Sequence, residues 1–129
     1  MSKHTQSVSW FTIIGALAAL THYIIAVSVE HSALLSASNA NIAGFCAAFP
    51  VSYIGHRQFS FAGQNANHRH ALPRFLAVAV LGFLANQTLV LNTLRYTKLS
   101  FWFVLGIVML LVAVSTYLLS KFWAFKGTR

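Results

Sequence analysis

Long uncharged apolar runs alternate with short polar ones along the whole chain. Four runs stand out, at about Ser9–Val29, Leu35–Gly55, Phe75–Leu94 and Ser100–Ser120. A helix needs about 20 apolar residues to cross the hydrocarbon core of a bilayer. A backbone surrounded by lipid must also satisfy its hydrogen bonds within the segment. The pattern therefore predicts an all-α membrane protein of four transmembrane helices. Pro50 lies inside the second run and removes one backbone donor, which predicts a kink that neighbouring helices can absorb. The stretch "AGQNANHRHALP" between the second and third runs reads as a polar linker.

Composition strengthens this reading. Of the 129 residues 57% are hydrophobic and only 8% charged, against about a quarter charged in ordinary soluble domains. The length predicts a single transmembrane domain over residues 1–129, with no room for a separate soluble catalytic domain. The small residues of "GALAAL" invite comparison with a signal-peptide cleavage site, but the first run is too long for that and only Lys3 precedes it. Cys46 cannot form an intrachain disulfide and reads as a small buried hydrophobe.

Charge sets the expected direction of insertion. Nine Lys and Arg face one acid, Glu30, for a net charge of +8. These cations sit at the ends of apolar runs and form no stripe, which argues against nucleic acid as a partner. Lys3, Arg57, Arg69, Arg74, Lys121, Lys126 and Arg129 fall on one side of the four runs, and only Arg95 and Lys98 on the other. The positive-inside rule then puts both termini and the middle linker in the cytoplasm.

An offset of 64 residues aligns the two halves of the chain. Phe11 meets Phe75, Leu17 meets Leu81 and His22 meets Asn86. Near the ends Ser52-Tyr53 meets Thr116-Tyr117, Arg57 meets Lys121, and Phe59 and Phe61 meet Trp123 and Phe125. The middles of the halves, around residues 38–45 and 102–109, match poorly. We read two parallel-repeat helical hairpins, about 9–61 and 73–125, related by an axis along the membrane normal. The basic aromatic ends "RQFSF" and "KFWAF" then share the cytoplasmic face. There the cations can snorkel to lipid phosphates while the rings anchor at the interface.

These features together resemble the GtrA-like family, whose domain is similar to the membrane portion of some dolichol-phosphate mannose synthases. The resemblance rests on four short spans, the opening Phe11…Gly15…Thr21, the Arg74-Phe75 start of the second half and the two paired endings. It covers about residues 10–126. The chain departs from the family's pattern in having Trp10 where a basic residue often precedes the first Phe, and Lys121 for Arg in the second ending. Lys offers a point charge without Arg's bidentate grip. Membership implies a role in moving polyprenyl-phosphate-linked sugars across the membrane, with a bacterial inner membrane as the expected location, or in assisting the glycosyltransferase that makes or uses them.

Candidate chemistry is sparse. One acid excludes a carboxylate pair, no Ser-His-acid arrangement can be built, and no Gly-rich phosphate loop is present. The expectation is a protein that is not an enzyme and uses no cofactor. His56, His68 and His70 lack Cys or carboxylate partners and read as a solvated basic loop, not a metal site. Arg57, Arg74 and Lys121 are the candidate lipid-phosphate cradle, with Phe59, Phe61, Trp123 and Phe125 as interface aromatics. Pro73 suits a first helical position, which would aim free N–H groups of the third helix at the same phosphate. Ordinary positive-inside anchoring is the alternative for all of these.

Within the membrane, His22, Asn86, Gln87, Ser52 and Thr116 form a candidate polar path, with Thr88 and Asn92 nearby. An intramembrane ionisable residue is a functional hypothesis by default, and hydrogen bonding that glues the bundle is the alternative. Asn39 and Asn41 read as exit-side sugar contacts, as a helix-start cap or as ordinary packing. Glu30 reads as solvated at the interface, with proton coupling as the other option. Expected partners are a polyprenyl-phosphate-linked sugar, membrane lipids, a membrane-associated glycosyltransferase and a second copy of the chain. A non-transporting subunit that docks the transferase is the second hypothesis. A small drug/proton antiporter is a weak third, since no acid lies within the first run.

Overall fold

The computed structural model describes residues 2–60 and 68–119. The described residues form α1 (Lys3–His31), α2 (Ala37–Gly55), a π-helical turn (His56–Ser60), α3 (His68–Tyr96) and α4 (Phe101–Leu119). Two segments, Ser9–His31 and Leu76–Tyr96, are long and apolar enough to span a bilayer, and Phe101–Ser115 is a shorter apolar helix. α1 and α3 both run for 29 residues.

Helix ends depart from the apolar runs. α1 begins at Lys3, where the Ser2 hydroxyl caps it by accepting from Thr5 N at 3.1 Å. α3 begins at His68, so Arg69 and His70 are helical and Pro73 sits inside the helix. The expectation that Pro73 opens the third helix is therefore wrong. The free N–H groups of α3 belong to its first turn, residues 68–71. Hydropathy marks where lipid begins, whereas helical hydrogen bonding continues into water.

α1 stops in a Schellman arrangement. Leu34 N donates to the Val29 carbonyl and Ala33 N to the Glu30 carbonyl, the 6→1 and 5→2 bonds of that motif. Ala33 occupies its left-handed position at φ 60°. Ser36 then caps α2 by accepting from Asn39 N.

α1 and α2 pack through small residues. Ala40, Gly44 and Ala48 are buried at four-residue spacing on α2, which lets helix backbones approach closely. A Cβ at Gly44 would lie 2.5 Å from the His22 carbonyl oxygen, and one at Gly55 would lie 2.6 Å from Ile14 Cγ2. At the loop end of the bundle Ala26, Val90, Phe101, Val104, Leu105 and Val108 form an apolar core. Tyr23 Oη donates to the Trp102 carbonyl at 2.8 Å and ties α1 to α4. At the end where α1 starts, Trp10 stacks on Phe59 at 4.7 Å and Phe11 on His56 at 4.6 Å.

Two sequence expectations change here. Cys46 is exposed, not buried, because the face of α2 that meets α1 is filled by its alanines and glycines. His56 is buried against Phe11, not solvated, because the π turn continues α2 and folds the ring back onto α1.

Candidate functional site: a polar relay at the end of an intramembrane cleft

Four polar side chains from three helices meet in the interior, and Asn41 is their hub. His22 Nε2 lies 2.7 Å from Asn41 Oδ1. Asn41 Nδ2 donates to Asn86 Oδ1 at 2.8 Å and to Gln87 Oε1 at 2.7 Å. Gln87 Nε2 in turn donates to the Ser38 carbonyl at 3.2 Å and to its hydroxyl at 3.0 Å. Asn41 is fully buried, and His22 and Asn86 nearly so.

The relay has a direction fixed by chemistry. A backbone carbonyl only accepts, so the Gln87 amide nitrogen must face Ser38 and its oxygen must face Asn41. Asn41 then turns its nitrogen toward Gln87 and Asn86, and its oxygen toward His22. His22 Nε2 must therefore carry the proton and donate. The same logic sets Asn86, whose oxygen is committed to Asn41.

His22 and Asn86 also line a cleft of about 250 Å³ between all four helices. They are the lining residues of α1 and α3 nearest the loop end, beyond which the apolar core closes the bundle. Ser52 and the mutually stacked rings of Phe45 and Phe83, 4.6 Å apart, lie on its walls. The other walls are alanine, valine, methionine, phenylalanine and Gly82.

Sequence-derived residues are distributed as follows. His22, Asn86 and Gln87 join one network. Ser52 lines the cleft but takes no part in the relay. Thr88 and Asn92 are exposed and stay outside both. Asn41 does not cap α2, since Ser36 does; it is packed in the interior. Glu30 is half-buried near the end of α1. Arg57 is half-buried in the π turn, and Phe59 is 45% exposed while stacked on Trp10. Arg74 and Thr116 lie on α3 and α4 with side chains outside the described set. Phe61, Lys121, Trp123 and Phe125 lie outside the described residues.

The described residues form an all-helical bundle, two of whose helices are long and apolar enough to cross a membrane, as in a membrane protein. A family model described as GtrA/DPMS, transmembrane domain, matches residues 10–125, and the chain belongs to that family. No curated protein and no solved structure matches the chain significantly.

Proposed function

We propose that the protein moves polyprenyl-phosphate-linked sugar across a bacterial inner membrane, for synthesis or modification of cell-surface polysaccharide, without itself catalysing a reaction. Arg57, with Arg74 and Lys121, holds the phosphate at the cytoplasmic interface, and the polyprenyl tail stays in lipid. The sugar passes along the interior past His22 and Asn86. The observation that carries this reading is the cleft among the four helices, with hydrogen-bonding groups set in an otherwise apolar wall. Family membership supports the lipid-linked sugar. The common 29-residue length of α1 and α3, together with the aligned sequences, supports an origin from two parallel hairpins.

The test is reconstitution of the purified chain into vesicles that hold a radiolabelled polyprenyl-phosphate sugar, with exposure of the label to an external reagent as the readout. The native chain accelerates flipping, and the double substitution Arg57→Ala, Lys121→Ala abolishes it. Normal flipping by the double variant would overturn the phosphate cradle. Absence of flipping by the native chain, with a glycosyltransferase co-purifying, would replace transport by a docking role.

A further inference from the structure

We propose that the π-helical turn His56–Ser60 is an acid-released latch, docked on α1 by a neutral His56 and freed when that ring takes up a proton. The latch stands apart from the transport reading and needs no ligand.

Contacts at Gly55, His56 and Phe59 seat the turn on α1. A Cβ at Gly55 would lie 2.6 Å from Ile14 Cγ2, so the absent side chain lets the two helices approach just before the turn. His56 is then 5% exposed, its ring stacked on Phe11 with centroids 4.6 Å apart. Phe59 stacks on Trp10 at 4.7 Å. π-helical bonding is rare and survives mostly as single turns, frequently at functional sites. Side-chain docking, not an intrinsic backbone preference, therefore holds this turn in place. Arg57 lies between the two docked rings in sequence, so its half-buried position depends on both.

The surroundings of His56 make this docking sensitive to protons. Neither element packed against the turn, α1 or α2, brings a carboxylate near the ring. On α1, Lys3 and His4 lie toward the N-terminus. His22 and the titratable groups beyond it stand about 16 Å or more farther along the helix than Phe11. Glu30, the single acid, is about 28 Å along from Phe11, several times the Debye length of about 8 Å. The titratable groups of α2 are Tyr53 and Cys46, and Arg57 in the turn itself adds a like charge. Burial accordingly holds the His56 imidazole below its ordinary value. The Phe11 face attracts a charged ring, but taking an unpaired ion out of water costs more than one such contact returns. A released ring regains water, so the docked state binds fewer protons than the released one. Docking is at full strength above the ordinary imidazole value of about 6.5. It weakens as pH falls through that value toward the lower one of the docked ring.

A nitroxide on the turn reads the latch. Gln58 is exposed there, and full-length Cys46→Ala, Gln58→Cys protein would be spin-labelled in phosphatidylcholine nanodiscs. The ratio of mobile to restricted label would be followed from pH 8 to pH 5. Each unit by which burial lowers the ring's value multiplies release by up to about tenfold. We expect the ratio to rise at least about threefold on acidification. His56→Phe keeps a stacking ring without a titrating nitrogen and should leave the label restricted across the range. Phe11→Ala removes the surface on which His56 docks and should leave the label mobile already at pH 8. An unchanged or falling ratio at low pH would overturn the latch. An undiminished rise in His56→Phe would do the same, by assigning the response to another histidine. Should His56→Phe not fold, a label still restricted at pH 8 in Phe11→Ala would overturn it independently. None of these readings involves flipping, so the latch and the transport reading can fail separately.

Discussion

Gly44 on α2 lies against the backbone of His22 on α1. An added Cβ there would stand 2.5 Å from the His22 carbonyl oxygen and 2.6 Å from its Cδ2. The contact presses two helices together at the level where His22 meets Asn41. Gly44→Ala must therefore separate the two helix backbones, and it displaces the imidazole as well. Overpacking of this kind costs about 1–3 kcal/mol, and we expect a lowered thermal midpoint in detergent. Gly15→Ala is the control: nothing lies within 4 Å of its Cβ, so the substitution should gain the usual helix preference of about 0.5–1 kcal/mol.

The relay predicts an ordering of stabilities. Asn41→Ala removes three hydrogen bonds at once. At about 0.6 kcal/mol per interhelical bond in a membrane protein, the loss should approach about 2 kcal/mol. His22→Ala removes one of these and should cost less through hydrogen bonding. Asn39→Ala, exposed on the same helix, should be nearly silent. Reversible unfolding of the three variants in mixed micelles measures the order. Equal effects at Asn39 and Asn41 would contradict the hub.

How much of this is legible in the sequence follows from what hydropathy measures. The four helices are, because lipid demands long apolar runs. His22 and Asn86 are, because a polar group amid such a run is conspicuous. Asn41 is easily misread because it falls five residues into its helix, near an apparent end of the span. Its burial depends on Gln87 and Asn86 of α3 reaching across, which no single-helix pattern reveals. One signal is available: Ala40, Gly44 and Ala48 mark the face of α2 that meets α1, and Asn41 stands three residues before Gly44, next to that face. The aligned positions of His22 and Asn86 suggest equivalent polar sites. The structure joins them into one network through a residue that the alignment does not pair with either.

Ala33 offers a stabilising change. It closes α1 in the left-handed region, φ 60°, where a Cβ costs about 1–2 kcal/mol. Glycine has no such penalty at that position of a Schellman motif. Ala33→Gly should therefore raise stability, reduced somewhat by the greater freedom of glycine in the unfolded chain. A net gain of about 0.5–1 kcal/mol is expected, read as an upward shift of the unfolding midpoint. A loss would mean that the turn does not require the left-handed conformation.

Tyr23→Phe isolates the tie between α1 and α4. The substitution keeps the ring beside Gly106, where an added Cβ would lie 3.6 Å from Tyr23 Cε2. It removes only the hydroxyl that donates to the Trp102 carbonyl. We expect a cost of about 0.6 kcal/mol, the average for such bonds within membranes. A double cycle with Asn41→Ala should be additive, because the two sites share no partner. Strong coupling would instead show that the relay and the loop-end core move as one unit.

Insertion direction is the last prediction, and single cysteines decide it. Gln6 and Thr97 are both exposed in the structure, near the start of α1 and just beyond the end of α3. With the termini in the cytoplasm, as seven cations against two imply under the positive-inside rule, they lie on opposite sides. In a Cys46→Ala background, Gln6→Cys should react with a membrane-impermeant maleimide only in inside-out vesicles. Thr97→Cys should react only in intact spheroplasts. Reversal of both patterns would invert the chain and move Arg57 to the outer face, opposite to the side on which phosphate is proposed to bind first. Arg57 would then have to receive the phosphate after transport, and the proposed order of binding and passage would have to be reversed with it.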